Sequence, residues 1–266
     1  MAGPATASVS RRVNRETVVL LGWGRAILLQ FAHPLVAAGV ADYSRFHTAS
    51  GGYLSRTRRT VGAMLSLTFG PPDEVAGVLD RINGIHAHVH GALREPVGRF
   101  PAGTRYTATD PELLAWVHAT LLDSILIAYE TFVGPLTAEE KNQYCAEASA
   151  MTTRLGVPAG RLPMTAVALD AEMRAMYASG DLCVGPAARE LSAALLAPPI
   201  GLASPVFGPV RVLTTGLLPP EVRQAYGFDW TAARDRQWHR LARVVRGLRG
   251  VLPSIVCEWP AARTAA

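Results

Sequence analysis

Residues 73–93 read DEVAGVLDRINGIHAHVHGAL. Within them Val75, Val78, Leu79, Ile82, Ile85, Val89 and Leu93 recur at intervals of three and four, which lines them up along one side of an α-helix. The spacing predicts a helix over 73–93, opened by two acidic residues after the helix-stopping Gly70-Pro71-Pro72. A stripe this regular has to be covered by other elements, and the flanking segments read the same way.

Upstream, residues 54–69 are helical up to that stop, and a loop at 47–53 carries Ser50-Gly51-Gly52. Residues 14–46 are helical with a bend at His33-Pro34, where proline removes a backbone donor. The small, polar and basic residues at the start predict a flexible tail over 1–14. Downstream, 94–109 is rich in Gly, Pro and Thr and suits a short β-hairpin or an ordered loop. Asp110-Pro111-Glu112 then has the form of a helix start, with a capping acid and proline in the first turn. Further helices are expected at 137–155, 166–179, 185–196, 219–226 and 230–249. No repeat and no long linker divides the chain. The expectation is an all-α fold, a single domain over 15–260 with about ten helices around a pocket and at most one small β-hairpin.

The composition narrows the partners. Of 266 residues, 49% are hydrophobic and 18% charged, which suits a chain that buries a core. The net charge is +5 and is carried by arginine, Lys141 being the only lysine. The arginines form a short cluster at 56–59 and a periodic set near the C-terminus, with no basic stripe interleaved with aromatics, so nucleic acid is not an expected partner. Cys145, Cys183 and Cys257 are far apart and odd in number, which fits a reducing, cytoplasmic setting. Residues 17–41 are long and apolar enough to span a bilayer, but Arg25, Gln30, His33 and Pro34 interrupt them, so a buried, kinked core helix is the better reading. A peripheral membrane contact and a homo-oligomer are both compatible with this composition.

Three histidines crowd into residues 86–90. His86 falls within the apolar stripe, His90 at its edge, and His88 on the opposite side. An imidazole so placed suits a core histidine hydrogen-bonded to a carbonyl, which spacing alone favours, or the neutral axial ligand of a haem. A third reading pairs His86 with His90 as a metal clip four residues apart, but the Glu of an HExxH site is missing. Arg56, Arg59 and Thr60 share a helix face that continues through Ala63, Met64 and Leu67, cationic at one end and apolar below. That face suits a solvated first turn or an amphipathic ligand with an acidic rim. His118 is placed to line the same cavity or to satisfy a core hydrogen bond. GxSxG, Walker and GxGxxG signatures are absent, which argues against hydrolase, NTPase and dehydrogenase chemistry.

Several stretches in order resemble one family. They are Leu29-Gln30-Phe31-Ala32-His33-Pro34 with Val36 to Val40, Arg56 to Thr60, His86 to Gly91, Tyr106 to Leu114 with Trp116 to Leu121, and Gly216 to Pro220. Together they resemble the rubber oxygenase (latex-clearing protein) and mycophenolic-acid-pathway oxygenase family, in its short actinobacterial form. The resemblance implies haem b between helices, with His86 as the axial iron ligand. Arg56 and Thr60 fall on its distal side, and Arg59 takes the place of a lysine that an arginine cannot imitate as an iron ligand. His90 and Asn83 replace arginines of the latex-clearing proteins, and Gly39-Val40-Ala41 stands where an acidic base would be. These departures point away from polyisoprene cleavage itself.

The resulting expectation is a haem-dependent oxygenase acting with dioxygen on an apolar small molecule, an alkene or terpenoid. Arg56, Arg59 and Thr60 would carry the catalytic polar contacts, and His86, His90, Arg56, Met64 and His118 would hold the cofactor. The other ring nitrogen of His86 would donate to a carbonyl or acid. The alternatives are a non-catalytic haem or small-ligand binder, a non-haem metal enzyme built on His86 and His90 with His118 or Asp123 as a further ligand, and a helical interaction domain without cofactor.

Overall fold

A computed structural model describes residues 8–43, 50–196 and 207–264, with the backbone alone at 50–57 and 264. In chain order its elements are α1 (Val9–Asn14), α2 (Leu20–Phe31), α3 (Pro34–Tyr43), α4 (Ser50–Phe69), α5 (Pro72–His88), β1 (His90–Ala92), β2 (Arg105–Thr107), α6 (Pro111–Phe132), α7 (Ala138–Thr152), α8 (Ala166–Ala178), α9 (Pro186–Leu196), α10 (Phe207–Gly216), α11 (Pro220–Ala225), α12 (Ala232–Val251), α13 (Ser254–Cys257) and α14 (Pro260–Thr264). The class is all-α with one small antiparallel hairpin, as the sequence predicts.

Helices α2 and α6 form the centre. The carboxylate of Asp110 accepts from the backbone N–H groups of Glu112 and Leu113, which starts α6. Trp116, Ala119, Leu122 and Ile125 of α6 then bury against Trp23, Leu28 and Leu29 of α2. The two axes approach closely at Gly22. A Cβ there would stand 2.5 Å from the Ser124 carbonyl oxygen and 2.9 Å from the Ala128 Cβ. Gly22→Ala is therefore expected to cost about 1–3 kcal/mol through overpacking, read as a lower urea midpoint at unchanged slope. An unchanged midpoint would mean that the helices can separate freely.

The polar interruptions of the apolar 17–41 run are satisfied inside the protein. Arg25 is 3% exposed and reaches the Leu217 carbonyl, the Ser124 hydroxyl and the Asp123 carboxylate. Gln30 donates to Thr120 Oγ1 at 3.0 Å. At His33-Pro34 the chain turns by 104°. His33 Nδ1 accepts from the Leu35 N–H and its carbonyl accepts from the Ala37 N–H, so the histidine opens α3 where proline closes α2. Helix α6 is long and apolar enough to cross a membrane, yet most of it is enclosed by the other helices.

Two expectations are corrected. Part of the predicted 1–14 tail, residues 9–14, is the helix α1. Val9 and Val13 lie four apart and enter the core, and Glu147 of α7 accepts from the N–H groups of Val9 and Ser10. The helix predicted over 73–93 stops at His88 and gives way to β1, in which His90, Gly91 and Ala92 pair with Thr107, Tyr106 and Arg105. Gly91 permits this pairing, because a Cβ there would meet the Tyr106 hydroxyl at 2.5 Å. The apolar periodicity continued through the junction, but Leu93 is buried from the hairpin rather than from a helix.

Candidate functional site

A cavity of ≈ 310 Å³ lies between α2 and α3, the end of α5, β2 and the first turns of α6. That is the lower end of the range for small-molecule sites. Helix α3 contributes Val36, Gly39, Val40 and Tyr43, spaced 3, 4 and 7 residues from the first, so one face of the helix forms a wall. Leu113, Leu114 and Val117 form the wall from α6, and Ile85, His86 and Val89 the wall from α5. Apart from His86, Gln30, Thr107 and two tyrosines, the lining is aliphatic or small.

His86 is half-buried here. Burial lowers its pKa, so the ring is neutral at pH 7. Its Nδ1 is enclosed and has no hydrogen-bond partner among the described residues, where the sequence reading expected a carbonyl or an acid. A buried polar atom without a partner is unusual in a folded protein. Beside it, Ile85 lines the same cavity while 58% exposed, so the space opens outward along α5.

The tyrosines are fixed in place. Tyr106 donates to Asp42 Oδ2 at 2.5 Å, and Asp42 Oδ1 accepts from Arg94 at 2.9 Å. Burial, with the Asp42 carboxylate, pushes the Tyr106 pKa far above its ordinary value, so the phenol keeps its proton. Tyr43 donates to the His90 carbonyl at 2.8 Å and ties α3 to the hairpin. Sequence reasoning missed these wall residues. The α3 stripe and the Leu113/Val117 pair were legible as apolar faces, but nothing local said which faces meet.

The other predicted site residues lie elsewhere. His90 is exposed on β1 and does not line this cavity, so the His86–His90 metal clip is corrected: a strand does not bring them together as a helix turn would. Among the described residues no group of three or more His, Cys, Asp or Glu side chains is arranged to hold a metal ion. Met64 packs against the main core from α4. Arg59 and Thr60 are exposed on α4, and the Arg56 side chain lies outside the described residues. His118 faces α7, with Nε2 3.2 Å from Ser149 Oγ and Nδ1 2.7 Å from Thr152 Oγ1. Both ring nitrogens are engaged, so His118 is a core histidine and not part of the cavity.

Burial holds the His118 pKa down to about 4, and among the described residues no carboxylate stands beside it to stabilise a second ring proton. The unfolded chain therefore binds more protons than the native one as pH falls from 6.5 toward 4. Stability is fully present above pH 6.5 and falls through that window, by roughly 3 kcal/mol from this residue. His118→Gln is expected to flatten the pH dependence of the urea midpoint. A profile as steep as the parent's would place the acid sensitivity in another group.

The helices thus enclose an apolar cavity with one neutral imidazole in its wall, a concave and mostly aliphatic setting of the kind that small-molecule sites use. Residues 10–247 match the family described as "ER-bound oxygenase mpaB/B'/Rubber oxygenase, catalytic domain", and the chain belongs to that family. The family is oxygenase-type, so its chemistry involves dioxygen and a small-molecule substrate. The chain is also similar to the uncharacterized protein Rv2237 of Mycobacterium tuberculosis and the uncharacterized protein Mb2261 of Mycobacterium bovis. Each is 28% identical over 233 residues, covering 85% of this chain and 87% of the relative. No solved structure matches the chain.

Proposed function

We propose that the protein is a haem b-dependent oxygenase whose iron is held by His86 and whose substrate is an apolar small molecule, an alkene or terpenoid. The observation that carries this reading is the His86 imidazole: neutral, set in an aliphatic wall, and with its enclosed Nδ1 lacking a partner. The neutral ring and the dry setting fit an axial ligand, which must offer a neutral nitrogen, although the carbonyl or acid that usually orients such a ring is not found at Nδ1 among the described residues. Ile85 supports it, since a flat apolar group against α5 would cover a side chain that otherwise faces water. When bound, haem supplies the redox and dioxygen chemistry that amino-acid side chains lack.

The chain's own residues would do the rest. Val36, Val40, Val89 and Leu113 exclude water and favour an apolar substrate. Tyr106, kept protonated by burial and Asp42, offers a fixed rim to the cavity. Arg56, Arg59 and Thr60, which the family resemblance puts on the distal side, would supply polar contacts to dioxygen or to the propionates from α4, which packs on α5 but contributes none of the described cavity lining. The absence of the latex-clearing lysine leaves polyisoprene outside this proposal.

The test is to add haemin to the purified protein and record oxidised and dithionite-reduced spectra. The expected result is a saturable Soret band at one haem per chain. A colourless protein that takes up no haemin would overturn the reading. A haem spectrum without oxygen-dependent turnover of any apolar alkene would reduce it to a haem binder.

A further inference from the structure

The exposed large apolar side chains are unevenly placed. Six of them, Val244, Leu248, Val251, Leu252, Ile255 and Val256, fall within thirteen consecutive residues at the end of α12 and in α13. Val251 is 79% exposed and Ile255 67%. Helix α12 meets the rest of the protein through Trp238, Leu241, Ala242 and Val245, which pack beneath α6 and α10. Counting about 100° per residue, Val244, Leu248 and Val251 fall together on the other side, with Arg240 and Arg236 continuing the row toward the N-terminus.

Charge accompanies this face. Helix α12 carries six arginines and one acid, Asp235. Arg249 is the arginine that turns inward, bidentate to Glu16 at 2.5 and 2.7 Å. Arg236, Arg240, Arg243 and Arg246 are exposed and have no acidic partner among the described residues. Their long aliphatic stems can lie along apolar surface while the guanidinium groups reach an acidic layer.

We propose that this face of α12 and α13 docks the protein on an anionic lipid bilayer. Exposed aliphatic groups bordered by unpaired cations match the two layers of such a surface, acyl chain and phosphate headgroup. A second copy of this chain is disfavoured, because a face-to-face pairing would bring the four free arginines against one another. The inference is independent of what fills the cavity near His86.

The experiment is flotation of the full-length protein with phosphatidylcholine vesicles, with and without about one third phosphatidylglycerol. Binding is expected to the anionic vesicles, to weaken steeply with salt, and to be absent on phosphatidylcholine alone. Val251→Ser with Ile255→Ser, and separately Arg236→Glu with Arg240→Glu, should each reduce binding about tenfold or more. Thermal melting of the variants should be unchanged, since all four side chains are exposed. Val167→Ser, at a 77% exposed position on α8, should bind as the parent does. The proposal fails if the parent floats with neither vesicle or if the paired substitutions leave flotation intact. It also fails if they instead dissolve a dimer seen by light scattering, which would assign the face to a second copy.

Discussion

His86→Ala is expected to reduce the haem retained by the protein at least about tenfold, because loss of a supporting outer-shell group already costs ten- to a hundredfold in comparable sites. The substitution should leave the fold intact. His86 is half-buried, and its Nδ1 has no partner to lose, so removal strands no other polar group. Unfolding free energy without haem should therefore stay within about 1 kcal/mol of the parent. That combination separates ligand loss from unfolding. His118→Gln provides the contrast: it should keep the Soret band while losing the bonds to Ser149 and Thr152. A His86→Ala protein with its full haem content would show that the ligand is some other residue, and the reading of the cavity would fall with it.

The second large effect belongs to the core. Arg25→Met is expected to destabilise the protein by about 3–5 kcal/mol, because it leaves the largely buried Asp123 carboxylate without its cation. The Leu217 carbonyl and the Ser124 hydroxyl lose their donor in the same step. Adding Asp123→Leu to Arg25→Met should restore part of the loss, since an apolar pair can replace a buried ion pair at little cost. The double-mutant cycle, read from urea midpoints, measures the coupling. Equal losses for the single and double substitutions would show that the charge pair matters less than the shape of the guanidinium.

Arg25 also shows where local reading stops. Its position in an apolar run argued against a membrane span, but the carboxylate that neutralises it comes from α6 and the carbonyl that accepts its Nε–H from the residue after α10. The same division holds at the cavity. The stripe around His86 was legible because helical spacing repeats within a few residues. The end of α5 was not, because the pairing of Gly91 with Tyr106 is decided by a residue fifteen positions away. His118 read equally well as a cavity residue or a core residue until α7 placed Ser149 and Thr152 against its two nitrogens.

By itself the sequence determined the all-helical class, the capped start of α6, the corner at His33-Pro34 and the apolar setting of His86. All of these follow from side-chain period and from residues whose backbone preferences act within one turn. The tertiary structure alone decided that His90 and His118 leave the cavity, that Tyr43, Tyr106 and the α3 stripe enclose it, and that the other described residues leave the far side of α12 exposed. Periodicity specifies which face of a helix is apolar. Which other face covers it depends on the packing of segments far apart in the chain, and that competition has no local signal.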